Sequence, residues 1–270
     1  MKLLLVLILN TFFLSSLWAA PAKKLDQYWF PFSDELQSTV SHSKWQTILD
    51  QYVITTPDEQ TFFSYSTVSP NDRKVLQSYL NDLVAIDPLA LTRAQQKAYW
   101  INLYNAKTVD IILENYPIKS ITKLGKGFFS FGPWDDKVLT VNDKKITLND
   151  IEHRILRPIY NDARIHYAVN CASYSCPNLA AQAYTADNTE KLLEEGAKQY
   201  VNHPRGVSVT KNGLTLSSIY SWYQVDFGNN EKALVEHLKH YAKPELKEKL
   251  DSITGKITYD YNWDLNDIKS

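Results

Sequence analysis

Residues 138–170 read VLTVNDKKITLNDIEHRILRPIYNDARIHYAVN. Val138–Val141 and Lys145–Thr147, around an Asn142-Asp143 turn, predict a short hairpin. A helix is expected from about Thr147, with Asp150 placed as its capping-box partner and Pro158 as its stop. Arg164–Asn170 then alternates Ile165, Tyr167 and Val169 against His166, Ala168 and Asn170, which predicts a strand. Short strands mixed irregularly with helices argue for an α+β fold, mostly helical with a small antiparallel sheet. A doubly wound sheet would instead alternate strand and helix regularly.

Working outward, Lys24–Asp87 has amphipathic helical character, with Leu36, Val40, Trp45, Ile48, Leu49 and Val53 at helical spacing. Pro57, Pro70 and Pro88 mark element boundaries there. Thr92 is the expected N-cap of a helix reaching about Asn115, and its row Ala94, Ala98, Ile101, Asn105, Thr108 and Ile112 should face the core. Downstream, a helix is expected over Thr189–Asn202 and a hairpin over Val207–Leu216, folded at Asn212-Gly213. Helices follow from Ser217 or Ser218, over Glu231–Tyr241 and over Glu245–Leu250. Ile257–Trp263 alternates as a returning strand would.

The 270 residues carry 29 basic and 30 acidic side chains, a formal net charge of −1, and are 44% hydrophobic. That apolar content is too high for a disordered chain, and the even charge gives no general attraction to nucleic acid. Lys2, the apolar run Leu3–Leu9, its extension Phe12–Trp18 and the small residues Ala19, Ala20 and Ala22 form the pattern of a secretory signal peptide. Residues 1–20 are therefore expected to be a leader, 21–90 an N-terminal helical segment and 91–270 an α+β domain. The mature chain is expected to be periplasmic or secreted, with no membrane span after cleavage. Its expected partner is a small molecule or peptide substrate, with no cofactor and no nucleic acid.

Three places break the local rules. Asn102 and Asn105 lie three apart on one helix face, so both amides can tie down a neighbouring loop, orient a catalytic imidazole or hold a substrate carbonyl. Leu148, Glu152 and Ile155 form one helical row, which brings a carboxylate to the apolar face and calls for Arg154 or Arg157 as its cation. His153 beside it is a candidate base. The third place is His166-Tyr-Ala-Val-Asn170-Cys171-Ala-Ser173-Tyr-Ser175-Cys176-Pro177, which holds both cysteines of the chain. A disulfide, a catalytic thiolate and a zinc site with His153 and His166 are all chemically open to this pair, although the spacing matches no standard zinc motif. His42, His203, His237 and His240 read as surface residues. The aromatic stretch Phe128–Trp134 offers a ligand groove.

The stretches AYWINLYNAKTVDIILENYPIKSI, IEHRILRPIYNDARIHYAVNCASYSCPNLAAQAYTA and LSSIYSWYQVDFG, with the closing Tyr-Asn-Trp-Asp, together resemble the family called "domain of unknown function 547" over roughly Gln95–Trp263. The resemblance implies that the blocks Trp100–Asn105, Glu152–His153–Arg157 and His166–Cys171–Pro177 are family features. Relatives that replace the second cysteine by serine would make Cys171 the better nucleophile and a required Cys171–Cys176 bridge less expected.

The functional expectation is a cysteine-dependent hydrolase or acyl-transferase, loosely similar in architecture to papain or transglutaminase folds. Cys171 attacks an amide or ester carbonyl, His153 takes its proton, and Asn102 or Asn105 orients the imidazole. Glu152 with Arg157 braces the helix, and backbone N–H groups near Ala172 face the oxyanion. Trp100, His166, Arg157 and Cys176 are expected around the substrate. The rival readings are a non-catalytic binding module with the cysteines bridged, and a zinc site of His153, His166, Cys171 and Cys176.

Overall fold

A computed structural model of the chain describes residues 20–35, 39–127, 131–211, 213–253 and 255–268. The expected leader up to residue 19, Leu36, residues 128–130 of the aromatic loop and the Asn212 turn lie outside the described residues. The fold is α+β. Helices α1 (Ser43–Tyr52), α2 (Pro70–Val84) and α3 (Arg93–Asn115) carry the first half, with a small antiparallel hairpin, β1 (Val53–Thr55) and β2 (Thr61–Phe63), between the first two. A second hairpin pairs β3 (Leu139–Val141) with β4 (Lys144–Ile146), as the Asn142-Asp143 turn predicts.

Helix α3 is the axis of the core. Thr92 and Gln95 close a full capping box at its start. The helix is then buried almost all round, so its expected core-facing row is only one side of a central element. Trp100 lies in that core at 1% exposure, with its ring edge-on to Trp29 at 5.1 Å and to Tyr99 at 4.9 Å. The expectation that Trp100 meets a substrate is thereby corrected. Trp29 belongs to the N-terminal segment, so residues 21–90 share one hydrophobic core with the region that follows.

Two local expectations fail for identifiable reasons. Residues 165–170 are not a strand: Ala163–Tyr167 is a 3₁₀ turn. Its start is fixed by Asp162, whose side chain accepts the Arg164 N–H. Both alternating sets are buried, so the period of two does not separate a wet face from a dry one. Gly196 on α5 (Thr189–Val201) lets this turn approach closely, since a Cβ there would stand 3.2 Å from the Tyr167 carbonyl oxygen. The second failure is the helix after Thr147. Thr147 and Asp150 do exchange both capping bonds, each at 2.9 Å. From Asp150 to Leu156, however, the helix is wound as a π-helix. It runs on through Pro158 as α4 (Arg157–Tyr160) and stops at Asn161, which is left-handed with φ 47°.

The C-terminal part adds α6 (Ile219–Trp222), α7 (Glu231–Tyr241), α8 (Pro244–Ser252) and a three-stranded sheet. In that sheet β5 (Val207–Thr210) and β6 (Gly213–Ser217) are antiparallel, whereas β7 (Lys256–Asp260) joins β6 in parallel register. The returning strand is present, and the sheet is mixed because the connection through α6–α8 brings the chain back to the same end. Beyond β7 the tail turns across the cysteine loop, where Ser173 and Leu265 form an isolated antiparallel bridge.

Trp100→Ala should cost about 3–5 kcal/mol of folding stability, the price of a large buried ring. Urea unfolding followed by circular dichroism measures it; a loss below about 1 kcal/mol would return Trp100 to the list of ligand-facing residues.

Candidate active site

A cavity of about 650 Å³ collects most of the residues expected to carry chemistry: Glu152, His153, His166, Cys171 and Cys176 all line it. Helix α3 contributes Tyr104 to this cavity, not Asn102 or Asn105. Much of the remaining lining is aromatic. Trp222 stacks on Trp263 at 5.5 Å, Tyr261 packs against both, and Phe131 and Trp134 continue the ring cluster. The described part of the aromatic loop thus does face a cavity, together with rings from the C-terminal tail.

The thiols sit on one short loop. Cys171 is half-buried and Cys176 buried, both are free, and their Sγ atoms lie 2.9 Å apart. The Sγ of Cys171 is also 3.0 Å from the Ser173 hydroxyl and 3.1 Å from the Tyr261 hydroxyl. Burial alone would raise the Cys171 thiol; hydrogen bonds from Cys176, Ser173 and Tyr261 outweigh it and bring it down to about 7. Burial and the neighbouring Cys171 push Cys176 well above an ordinary thiol. Once Cys171 is a thiolate, the S–H of Cys176 is the one left to donate to it.

The loop is held rigidly. Asn105 grips its entry, donating from Nδ2 to the Ala168 carbonyl and accepting the Asn170 N–H on Oδ1, each at 2.8 Å. Asn170 in turn accepts the Ala172 N–H at 2.8 Å and donates to the Pro177 carbonyl at 2.7 Å. Ala172 is left-handed, with φ 60°, a conformation that costs a non-glycine residue energy and persists only where its surroundings impose it. The tail completes the clamp through Tyr174 N–H to the Asp264 carbonyl at 2.7 Å and Asn266 N–H to the Ala172 carbonyl at 2.9 Å.

The same cavity is bordered by a buried charge network. Asp226 Oδ2 accepts from Arg157 Nε at 2.6 Å and pairs with His166 Nε2 at 2.8 Å, while Oδ1 pairs with Lys23 at 3.0 Å. Burial would raise the Asp226 carboxyl, but these partners hold it well below the usual carboxylate range. The second His166 nitrogen, Nδ1, lies 3.6 Å from Glu152 Oε1, and the imidazole stacks on Tyr223 at 3.9 Å. Burial raises the Glu152 carboxyl too; His153, His166 and Arg157 around it bring it down to about 2. Arg157 Nη1 donates to the Pro21 carbonyl at 2.9 Å and reaches His153 Nδ1 at 3.0 Å. A guanidinium has only donors, so Nδ1 of His153 is the acceptor and the neutral ring carries its proton on Nε2. Burial, aided by Arg157, lowers the His153 pKa despite Glu152.

This geometry corrects several expectations. Neither α3 amide orients a cavity imidazole. Asn102 exchanges two bonds with the Tyr184 backbone, at 2.7 and 3.0 Å, and the imidazole it meets is that of His42, at 3.2 Å. Asn105 holds the cysteine loop. Arg157 takes Asp226, not Glu152, as its hydrogen-bonded carboxylate. The N–H groups of Cys171 and Ala172 are already given to Cys176 Sγ and Asn170 Oδ1, so they offer no oxyanion pocket. Neither cavity imidazole is among the hydrogen-bond partners of Cys171. Among the described residues no three His, Cys, Asp or Glu side chains are grouped to hold a metal ion, so the geometry lends the zinc reading no support. His42 is not a surface residue: it is buried against the Tyr79 hydroxyl at 2.7 Å, and burial lowers it to about 4. His237 is half-buried, pairs with the Tyr167 hydroxyl at 2.8 Å and is likewise lowered to about 4 by burial.

Asp226, Tyr223, Tyr261 and Lys23 were not singled out from the sequence. Asp226 stands in the quoted stretch LSSIYSWYQVDFG, the one acidic residue in an aromatic run, which was its available signal. Residues 88–201 match the family model described as "Protein of unknown function, DUF547". That match covers α3, the π-helix and the cysteine loop, and supports the resemblance read from the same blocks. No curated protein and no solved structure matches the chain.

Asp226→Ala leaves the buried Arg157 charge uncompensated and should cost about 3–5 kcal/mol in urea unfolding at pH 7. The depressed Glu152 carboxyl predicts a pH effect of definite sign. Its contribution is complete above the unfolded value near 4.5 and is lost as pH falls toward 2. Urea midpoints should therefore fall more steeply between pH 4.5 and 2 in the wild type than in Glu152→Gln; parallel curves would show that Glu152 is not held as an anion.

Proposed function

We propose that the cavity is a cysteine-dependent hydrolase or acyl-transferase site in which Cys171 attacks an amide or ester carbonyl. The observation that carries the reading is the half-buried Cys171 Sγ at the cavity wall, held among Cys176, Ser173 and Tyr261 with its thiol lowered to about 7. With its thiol lowered toward neutral pH, Cys171 needs no histidine base to reach the thiolate. The proton of the reaction is needed at the leaving group instead. His153, whose Nδ1 is occupied by Arg157, offers its Nε2–H as a hydrogen-bond donor to the leaving group, while the proton itself comes from water. Its role is therefore that of a hydrogen-bond donor to the leaving group, not the base expected from the sequence. Glu152, His166 and Asp226 fix the electrostatics behind it, and the hydroxyls of Ser173 and Tyr261 are the donors nearest to a developing oxyanion. The aromatic wall takes the non-reacting part of the substrate. The binding-module reading shares this wall but calls for bridged cysteines. The leader pattern in residues 1–20 supports a periplasmic or secreted location, and no helix among the described residues is long and apolar enough to cross a membrane.

The test combines alkylation with two acyl donors. Iodoacetamide should label Cys171 alone in the native protein, with a rate that rises tenfold per pH unit and levels off above about pH 7. Cys171→Ala should abolish both labelling and acylation. An activated ester needs no proton on its leaving group, whereas an anilide does. His153→Ala should therefore slow anilide turnover by about 10²-fold and leave ester acylation within a fewfold. Absence of any thioester at Cys171 with either donor would sink the proposal; equal slowing of both would remove the leaving-group donor role from His153.

A further inference from the structure

Acyl transfer needs one thiol, yet this cavity holds two. Cys176 lies beside Cys171 at 3% exposure, and its sulfur is 2.9 Å both from the Cys171 sulfur and from the Cys171 nitrogen. The loop between them cannot open freely: Asn170 closes it onto Pro177, Tyr200 donates its hydroxyl to the Ser175 carbonyl at 2.6 Å, and the tail pins Tyr174 and Ser175. Two sulfurs are thus kept together by contacts that neither of them makes. Access is unequal. Both cysteines line the cavity, but Cys171 is half-buried whereas Cys176 is almost fully buried, so Cys171 is the more exposed of the two.

We propose that Cys171 and Cys176 form a thiol–disulfide exchange couple, with Cys171 the entering nucleophile and Cys176 the resolving thiol, for ligands that carry a disulfide. This goes beyond the acyl-transfer reading and shares with it only Cys171 as the attacking group. The Cys171 thiolate attacks one sulfur of R–S–S–R, the S–S bond breaks, and RS⁻ leaves and takes up a proton. Cys176 then gives up its proton and attacks the Cys171 sulfur of the mixed disulfide. The second RS⁻ leaves with a proton, and the Cys171–Cys176 bond forms. Two electrons pass from the pair to the ligand, one disulfide becomes two thiols, and an external dithiol is the class of reactant that restores the reduced pair. The splitting of the two thiols, one lowered and one raised, suits these two roles, because the attacking sulfur must be ionised and the resolving one must wait.

The full chain, reduced and freed of reductant, is challenged with oxidised glutathione, quenched with a maleimide and weighed intact. The wild type should become two hydrogens lighter, with the bridge mapped to Cys171–Cys176, no lasting glutathione adduct and two glutathione thiols released per chain. Cys176→Ser should instead accumulate one glutathione on Cys171, and Cys171→Ser should react at least about 100-fold more slowly than the wild type. The wild-type result stands even if a variant fails to fold, which circular dichroism reports. A wild type that stays reduced, that accumulates the Cys171 adduct without bridging, or a Cys171→Ser chain that reacts at the wild-type rate would overturn the proposal. The two readings fail separately: bridge formation without a thioester removes acyl transfer alone, and a thioester without bridge formation removes exchange alone.

Discussion

The buried carboxylate of Asp226 is the contact on which the rest of the site depends. It joins three segments far apart in sequence: Lys23 near the start of the described chain, Arg157 where the π-helix ends, and His166 in the 3₁₀ turn. Each of those partners would be costly to bury alone, since an uncompensated charge in a low-dielectric interior loses its hydration without replacement. Two carboxylates, Glu152 and Asp226, face two permanent cations, Arg157 and Lys23, so the cluster holds its charges in balance. The guanidinium of Arg157 then links the cluster to chemistry, because its contact with His153 Nδ1 decides which nitrogen of that ring carries the proton.

The thiol loop is governed by different physics. Its rigidity comes mainly from amides and backbone: Asn105, Asn170 and the tail segment Asn262–Asn266, with Arg205 on the Tyr174 carbonyl, satisfy backbone groups that a buried loop would otherwise leave unpaired. The left-handed Ala172 is the cost of turning the chain so tightly that Cys171 and Cys176 meet. An acidified thiol and a separately balanced imidazole pair are therefore two subsystems, each fixed before the other is considered. Such an arrangement lets Cys171 act as a thiolate without an ion pair to histidine, which is the main departure from the expected pairing of Cys171 with a basic His153.

Much of this was legible in the sequence, and the failures share a cause. Thr92 with Gln95, Thr147 with Asp150 and the Asn142-Asp143 turn act through neighbours in the chain, so local reading finds them. The blocks around Glu152, His166 and Cys171 stood out because polar residues interrupt apolar patterns, and the structure brings them to one cavity. Three things were hidden because they are set by partners distant in sequence. The π-helix has no local signature. The 3₁₀ turn at 163–167 mimics strand alternation because both its faces are buried. His42 looks polar in its own stretch and is enclosed by Tyr79 and Asn102 from two other helices. Asn102 and Asn105 were read on the right face, yet their amides serve backbone segments at 168–170 and 184; only the fold reveals which loop an amide holds.

The cavity is assembled from the chain's extremes as well as its middle: Ala20 and Pro21, Tyr104, the 149–177 region, Ser218–Tyr223 and Tyr259–Trp263 all reach it. Main-chain bonds from Lys24 and Asp26 to the carbonyls of His153 and Arg154 tie the N-terminal segment to the π-helix, while the tail ties the C-terminal segment to the cysteine loop. Contacts between such distant positions can form only after the intervening loops have closed, and that entropy is recovered only when most of the core is in place. The geometry that lowers Cys171 and fixes the proton of His153 is therefore a property of the completed fold. No single helix or hairpin of this chain carries it, and partial unfolding at either end would dissolve the cavity before the central α3 core gives way.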